Sequence, residues 1–374
     1  MACHTNTRQG KVTDYKGGMV STSAVPLLDR LAALRKEVAA ANEAGRPKLI
    51  RGEEVMRAIG EFGSVLDFIP RSSANAISEP TGERRPLSHQ ELRDFLVKDF
   101  DLTQFGVPRG ARVAVLLPNG PELALCILSV VSGWCATPIN PTNTWEEIRA
   151  ELTSFRACAI IILAGASNDA ALKAARELSL GVLVLNPSGS VTGLFRLVSL
   201  VPLNSSVSVP GYSVAKTVNG FVSFGHPETV LLLHTSGTSG TKKLVPYSLD
   251  MLIGGIGSIV LSWNLQPADV CLNMMPLFHI GGIVRNVFSP ILSGGSVISC
   301  SGFDPTLFWN VLSQQRVTWY YAAPTMHHAI LMEAEKRDKP LPVQDVRFIA
   351  NAAGGLLPVL AASLSTSRSL SLRR

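Results

Sequence analysis

Residues 231–247 read LLLHTSGTSGTKKLVPY. An apolar run, Leu231 to Leu233, leads into a stretch of small and hydroxylated residues from Thr235 to Thr241, which Lys242 and Lys243 close. Backbone N–H groups bared by Gly237 and Gly240, hydroxyls from Thr235, Ser236, Thr238 and Ser239, and fixed positive charge together solvate a polyphosphate, as an anion-binding nest does. This is not a Walker A loop: the lysine six residues beyond Gly237 is Lys243, and Leu244 follows it where Ser or Thr is required. LVPY reads as extended, so the loop is expected to join two strands, with little help from a helix dipole. A plain flexible turn has no need of two glycines, two serines and three threonines.

On both sides of this stretch strand and helix alternate. RVAVLL (112–117), CAIIIL (158–163) and GVLVLN (181–186) are the continuous apolar runs of strands buried on both faces. ATPIN (136–140), VTWYYA (317–322) and VRFIA (346–350) read as further strands. Helices are expected from Pro121, from Thr144 with Glu146 and Glu147 in the first turn, around Asp169 to Glu177, over Leu252 to Trp263, after the Asp304 cap with Pro305, and over Thr325 to Arg337. A helix over Val25 to Ala44, ended by Gly45, precedes a connecting stretch to about Ser88. Residues 187–227, rich in Ser, Val, Pro and Gly, read as loops and short antiparallel strands at a boundary between two subdomains. The fold class is α/β, with two subdomains of mostly parallel sheet flanked by helices.

Composition narrows the function classes. The 374 residues suit two domains, and 46% hydrophobic against 17% charged residues supports a large core. The net charge of +6 is scattered without interleaved aromatics, which argues against nucleic acid and hints at anionic ligands. The six cysteines (3, 126, 135, 158, 271, 300) show no CxxC spacing; buried free thiols in a reducing compartment are favoured over zinc or disulfides. No secretory signal opens the chain, although the first 20 residues, acidic only at Asp14, leave a transit peptide open. Leu123 to Ile139 and Met251 to Trp263 look membrane-like but read better as buried helices beside buried strands, so a soluble, cytoplasmic protein without a membrane span is expected.

The 235–243 stretch resembles the phosphate-binding signature of the adenylate-forming (AMP-binding, acyl-CoA synthetase-like) superfamily, Thr-Ser-Gly-Thr-Thr-Gly-x-Pro-Lys. Ser239 keeps the hydroxyl of the second central Thr, Lys242 stands where the family has Pro, and Lys243 takes the place of the signature lysine. Other landmarks occur in the family's order. LSHQEL (87–92) resembles the first core motif, with His89 in an aromatic's place, and Gly133, Pro138, Asn140 and Pro141 resemble the second. PLFHIGG (276–282) resembles the block after the loop, and NAAGGLLP (351–358) resembles the segment against which adenine packs. The resemblance covers about residues 85–358, the N-terminal portion of such enzymes.

The resemblance implies ATP-dependent activation of a small-molecule carboxylic acid to an acyl-adenylate. Transfer to the thiol of CoA or a phosphopantetheinyl carrier normally follows, with ATP and Mg²⁺ as cofactors. It implies that Thr235, Ser236, Gly237, Thr238, Ser239 and Gly240 hold phosphates. Lys243 would neutralise departing pyrophosphate, and Ala353, Gly354 and Gly355 would lie against the nucleotide. His279 would stand beside the reacting carboxylate, within a substrate pocket shared with Phe278 and Tyr321. Phe288, Trp319, Tyr320 and Met326 are further apolar candidates for pocket or core; His234, His327 and His328 read as structural. Peptide-synthetase relatives pair the substrate ammonium with an Asp near Phe278-His279; none occurs between Asp269 and Asp304, so an amino acid fits less well. The implied domains are an extension with one helix (1–48), an incomplete AMP-binding N-terminal domain (49–358) and an irregular tail outside the family (359–374). The family's Tyr-Gly-x-Thr-Glu motif and C-terminal domain do not follow NAAGGLLP. The expectation is therefore a C-terminally truncated ligase; the alternative is a non-catalytic nucleotide- or partner-binding module.

Overall fold

The apolar runs become strands because helices cover both of their faces. The computed structural model describes residues 25–46, 48–203, 217–218, 221–222, 229–235, 242–337, 346–351 and 354–366. The chain first lays down β1 (Asn75–Ser78) and β2 (Leu87–Ser88). It continues with β3 (Arg112–Leu116), β4 (Cys135–Pro138), β5 (Ala159–Leu163), β6 (Gly181–Pro187) and β7 (Phe195–Val201). A small pair, β8 (Thr217–Val218) and β9 (Phe221–Val222), precedes β10 (Thr229–His234) and β11 (Leu244–Ser248). Then come β12 (Val270–Asn273), β13 (Ser296–Ser299), β14 (Trp319–Ala322) and β15 (Phe348–Asn351).

Seven strands form one sheet in the order β11-β10-β4-β3-β5-β6-β7, parallel except for the antiparallel pairs at its two edges. Six form the other, β15-β14-β12-β13-β1-β2, parallel except for β1 against β2. Residue parity sorts the core. Val113 and Val115 of β3, and Trp319 and Tyr321 of β14, belong to one large cluster that also takes the helices Pro121–Val131 and Leu249–Ser262. Ala114 and Leu116 face outward with the helices Trp145–Phe155 and Asp169–Glu177. Tyr320 and Ala322 face the helices Pro305–Gln314, Pro324–Glu335 and Pro358–Thr366. The layers thus run helix, sheet, helix, sheet, helix, in agreement with the expected α/β class.

The two membrane-like stretches are explained by this layering: their helices are the inner layer, apolar because sheets enclose them. Among the described residues no helix is long and apolar enough to cross a membrane. The five described cysteines, Cys126, Cys135, Cys158, Cys271 and Cys300, are buried and free. Desolvation raises the thiol pKa to about 12 at Cys135 and Cys300 and to about 11 at Cys158, which keeps these thiols protonated.

Local signals account for the helix starts. The Thr144 hydroxyl accepts from the Glu147 N–H at 3.3 Å while the Glu147 carboxylate accepts from the Thr144 N–H at 2.9 Å, a reciprocal capping box. Asp304 accepts from the N–H groups of Thr306 and Leu307 at 2.7 and 3.2 Å, ahead of Pro305. The N-terminal helix is present in two pieces, Leu27–Arg30 and Ala32–Glu43, with Leu27, Leu31 and Leu34 buried in the main core.

Three expectations change. The stretch before Ser88 contains a helix, Gly52–Ile59, and the sheet strand β1, whose partner β13 lies far along the chain. Residues 187–227 do not divide two subdomains, since β6 leading into them, β7 within them and β10 after them join the same sheet. Residues 359–366, read as irregular, belong to the helix Pro358–Thr366, which buries Leu364 against the outer face of the six-stranded sheet.

Candidate nucleotide and acid site

In parallel α/β sheets, ligand sites form at the carboxyl ends of the strands. Here the ends of β10 and β4 lie side by side, paired in parallel through Leu231 and Ala136. The β10–β11 hairpin carries the glycine-rich loop beyond that edge. Its stem is closed by the Thr235 N–H donating to the Lys243 carbonyl at 2.9 Å, with the Lys243 N–H returning to the Thr235 hydroxyl at 3.3 Å. Ser236, Gly237, Thr238, Ser239 and Gly240, with Thr241, lie outside the described residues, as does Ala353.

Beside the stem lies a cavity of about 160 Å³ lined by Thr235, Lys242, His234, Pro138, Asn140, Asn143, Glu151, Phe155, Phe278 and His279. The ends of β10 and β4, the helix Trp145–Phe155 and the 276–282 segment of the other sheet all meet there. Lys242 donates to the Glu151 carboxylate at 2.5 Å; Glu151 is 8% exposed, so the pair ties the loop's exit to that helix. His234 stacks on Phe155, centroids 4.3 Å apart, and its Nε2 meets the Ser154 hydroxyl at 3.0 Å. A larger cleft, about 820 Å³, opens between Phe95–Asp99 and β7 and shares no residue with the loop.

His279 is held by its backbone. The turn through Pro276 and Leu277 folds so tightly that a Cβ on Gly282 would collide with the Pro276 carbonyl oxygen, which only glycine avoids. Phe278 and His279 sit edge to face at 4.9 Å. Desolvation lowers the His279 pKa below the ordinary imidazole value, so the neutral ring prevails at pH 7. Asn119, just past β3, braces the same segment. Its amide donates to the carbonyls of Met275 and Cys300 at 3.2 and 3.0 Å, and its oxygen accepts from the Leu277 N–H at 3.0 Å.

Tyr321, at the end of β14, accepts a hydrogen bond from Arg285 at 2.6 Å. Gly354 and Gly355 are exposed beyond β15, and the Asn351 amide donates to the Gly354 carbonyl at 2.7 Å. Phe288, Trp319 and Tyr320 are core residues with at most 2% exposure, and Met326 packs against the outer cluster. His327 is buried and His328 exposed on the helix Pro324–Glu335. Among the described residues no group of three or more His, Cys, Asp or Glu side chains is placed to hold a metal ion.

The profile of the AMP-binding enzyme family matches residues 101–367, well over half of the chain. The chain belongs to the AMP-binding enzyme family. Curated relatives include the oxalate–CoA ligase of Arabidopsis thaliana, 27% identical over 74% of this chain and 52% of that protein. Another is the long-chain-fatty-acid–CoA ligase FadD13 of Mycobacterium tuberculosis, 26% identical over 60% of this chain and 42% of the relative. The chain therefore spans about half the length of the curated relatives it matches. ATP-bound MatB from Rhodopseudomonas palustris shares the fold at a TM-score of 0.63 and 22% identity, over 80% of this chain and 56% of MatB.

Three residues at this candidate site escaped the sequence reading. Asn119 falls between the strand expected at 112–117 and the helix expected from Pro121, where the sequence signals only a connection. Glu151 is the partner of Lys242, and a lysine in place of the signature proline was the available hint that a carboxylate stands nearby. Arg285 is the one Lys, Arg, Asp or Glu between Asp269 and Asp304, and an isolated charge in so apolar a run was its signal.

Proposed function

We propose that the chain binds ATP at the Thr235–Lys243 loop and a carboxylic acid beside His279, for an ATP-dependent acid–thiol ligase. The observation that carries this reading is the β10–β11 hairpin, whose stem delivers Thr235 and Lys242 to the cavity where Phe278 and His279 stand, with Lys243 next in the chain. In this reading the acid's carboxylate oxygen attacks the α-phosphorus of ATP. The α–β bridging bond breaks, and pyrophosphate leaves as the acyl-adenylate forms. The thiol of CoA or of a carrier then attacks the acyl carbon and AMP departs.

Such a reaction needs positioning and charge stabilisation more than covalent help. Thr235, Ser236, Thr238 and Ser239 supply hydroxyls, Gly237 and Gly240 supply amides, and Lys243 offsets the charge on departing pyrophosphate. His279, neutral at pH 7, orients the carboxylate by one hydrogen bond, Phe278 and Tyr321 flank the acid, and the Ala353-Gly354-Gly355 segment lies along the nucleotide. The described residues form no cage for Mg²⁺, so no step is assigned to protein-held metal. The ion would be ligated chiefly by the phosphates. The named relatives act on acids as different as oxalate and long-chain fatty acids, so their names do not select one for this chain.

The test uses the purified 374-residue chain. ATP binding by equilibrium dialysis, and carboxylate-dependent exchange of labelled pyrophosphate into ATP, are both expected. Absence of ATP binding overturns the reading. Binding without exchange for any acid leaves this chain a nucleotide-binding module and removes the ligase assignment from it.

A further inference from the structure

Arg285 lies on the helical segment Gly281–Phe288 that follows His279, half-buried and without a carboxylate partner among the described residues. One of its five N–H donors goes to the Tyr321 hydroxyl at 2.6 Å, and its guanidinium carbon stands 5.1 Å from the Tyr321 ring centroid. Because the Tyr321 oxygen is accepting, its own hydrogen is left to donate. The pair thus offers a surplus of donors, a tyrosyl O–H and the remaining guanidinium N–H groups, and among the described residues no other acceptor is hydrogen-bonded to them. Gly281 keeps their near side open, since a Cβ there would stand 3.2 Å from the Tyr321 hydroxyl and 3.3 Å from Arg285 Nη1. His279, two residues earlier, lines the cavity that holds Thr235 and Lys242. Partly desolvated cationic donors held in a planar fork are matched by an oxyanion.

We propose that Arg285 and Tyr321 form a second-anion subsite, so that the acid taken by this chain carries a further carboxylate or sulfonate besides the one activated. The proposal rests on reading the His279 cavity as an acid site. A phosphate of the nucleotide is the other source of the same chemistry. The acid is favoured because the Thr235–Lys243 loop already supplies the phosphate donors on the opposite sheet, whereas Arg285 and Tyr321 stand on the six-stranded side.

The experiment is calorimetric titration of the 374-residue chain, first with ATP and then, in the presence of ATP, with malonate and succinate against acetate and butyrate. The wild-type chain is expected to prefer the dianionic acids by about tenfold or more. Arg285→Met keeps the apolar stem and is expected to bring that ratio near one with ATP affinity unchanged, while Arg285→Lys retains part of the preference. No dianion preference in the wild-type chain overturns the proposal without any variant. So does a preference that survives in a folded Arg285→Met. A loss of ATP affinity in Arg285→Met with the acid ratio intact assigns the guanidinium to a phosphate and also overturns it. If the wild-type chain binds neither ATP nor any acid, the acid-activating reading itself falls, and this proposal with it.

Discussion

Replacing Lys243 with alanine is expected to weaken ATP binding to the 374-residue chain roughly ten- to a hundredfold, from the loss of about 1.5–3 kcal/mol of charge-assisted hydrogen bonding. The substitution isolates the ammonium. Both bonds that close the hairpin stem at residue 243 use its backbone N–H and carbonyl, which alanine retains. Lys243 is exposed, and no described residue forms an ion pair with it, so little folding stability should change. The effect should shrink as salt rises, as expected of an exposed charge. Lys242→Ala is the informative contrast. It frees the buried Glu151 carboxylate, so stability falls more than nucleotide affinity. Equal ATP affinity for wild type and Lys243→Ala would remove the phosphate-loop assignment.

The second large effect is expected at Asn119. Leucine repeats the branched skeleton of asparagine, with methyl groups in place of the amide oxygen and nitrogen, and makes none of its bonds, so Asn119→Leu strands the Met275 and Cys300 carbonyls and the Leu277 N–H. Unsatisfied buried groups cost about 1–3 kcal/mol each. Water reaches part of this half-buried site, so a total of about 2–4 kcal/mol is expected in urea unfolding. The loss should carry into acid binding, because the braced segment leads straight to Phe278 and His279. A midpoint shift worth less than about 0.5 kcal/mol, the level of an ordinary surface change, would show that Asn119 does not brace the two sheets.

The parts of the fold written locally were legible. Arg112–Leu116 and Ala159–Leu163 are apolar without alternation because both faces are covered, and Thr144 with Glu147 or Asp304 with Pro305 announce helices by hydrogen bonds within one turn. What depends on distant partners was not. β1 is four residues long and becomes a strand only by lying between β2 and β13. The same holds at the site. The loop was recognisable from its own composition. Asn119 with Cys300, Lys242 with Glu151 and Arg285 with Tyr321 are 181, 91 and 36 positions apart, and no periodicity signals such pairs.

The nesting of the two sheets has a kinetic consequence. The seven-stranded sheet is drawn from one continuous stretch, β3 to β11, whereas the six-stranded sheet joins β1 and β2 to strands made only after that whole stretch has passed. Closing a long loop costs chain entropy before any contact rewards it, so distant pairings form late. The seven-stranded sheet should therefore consolidate first, and Ile77 should find Val297 only afterwards. In pulse-labelled hydrogen exchange, amides of Val113 to Leu116 would gain protection before that of Ile77. On this order of events β1 is a latch that closes the six-stranded sheet, and a refolding chain exposes the flank of β13 until the latch shuts.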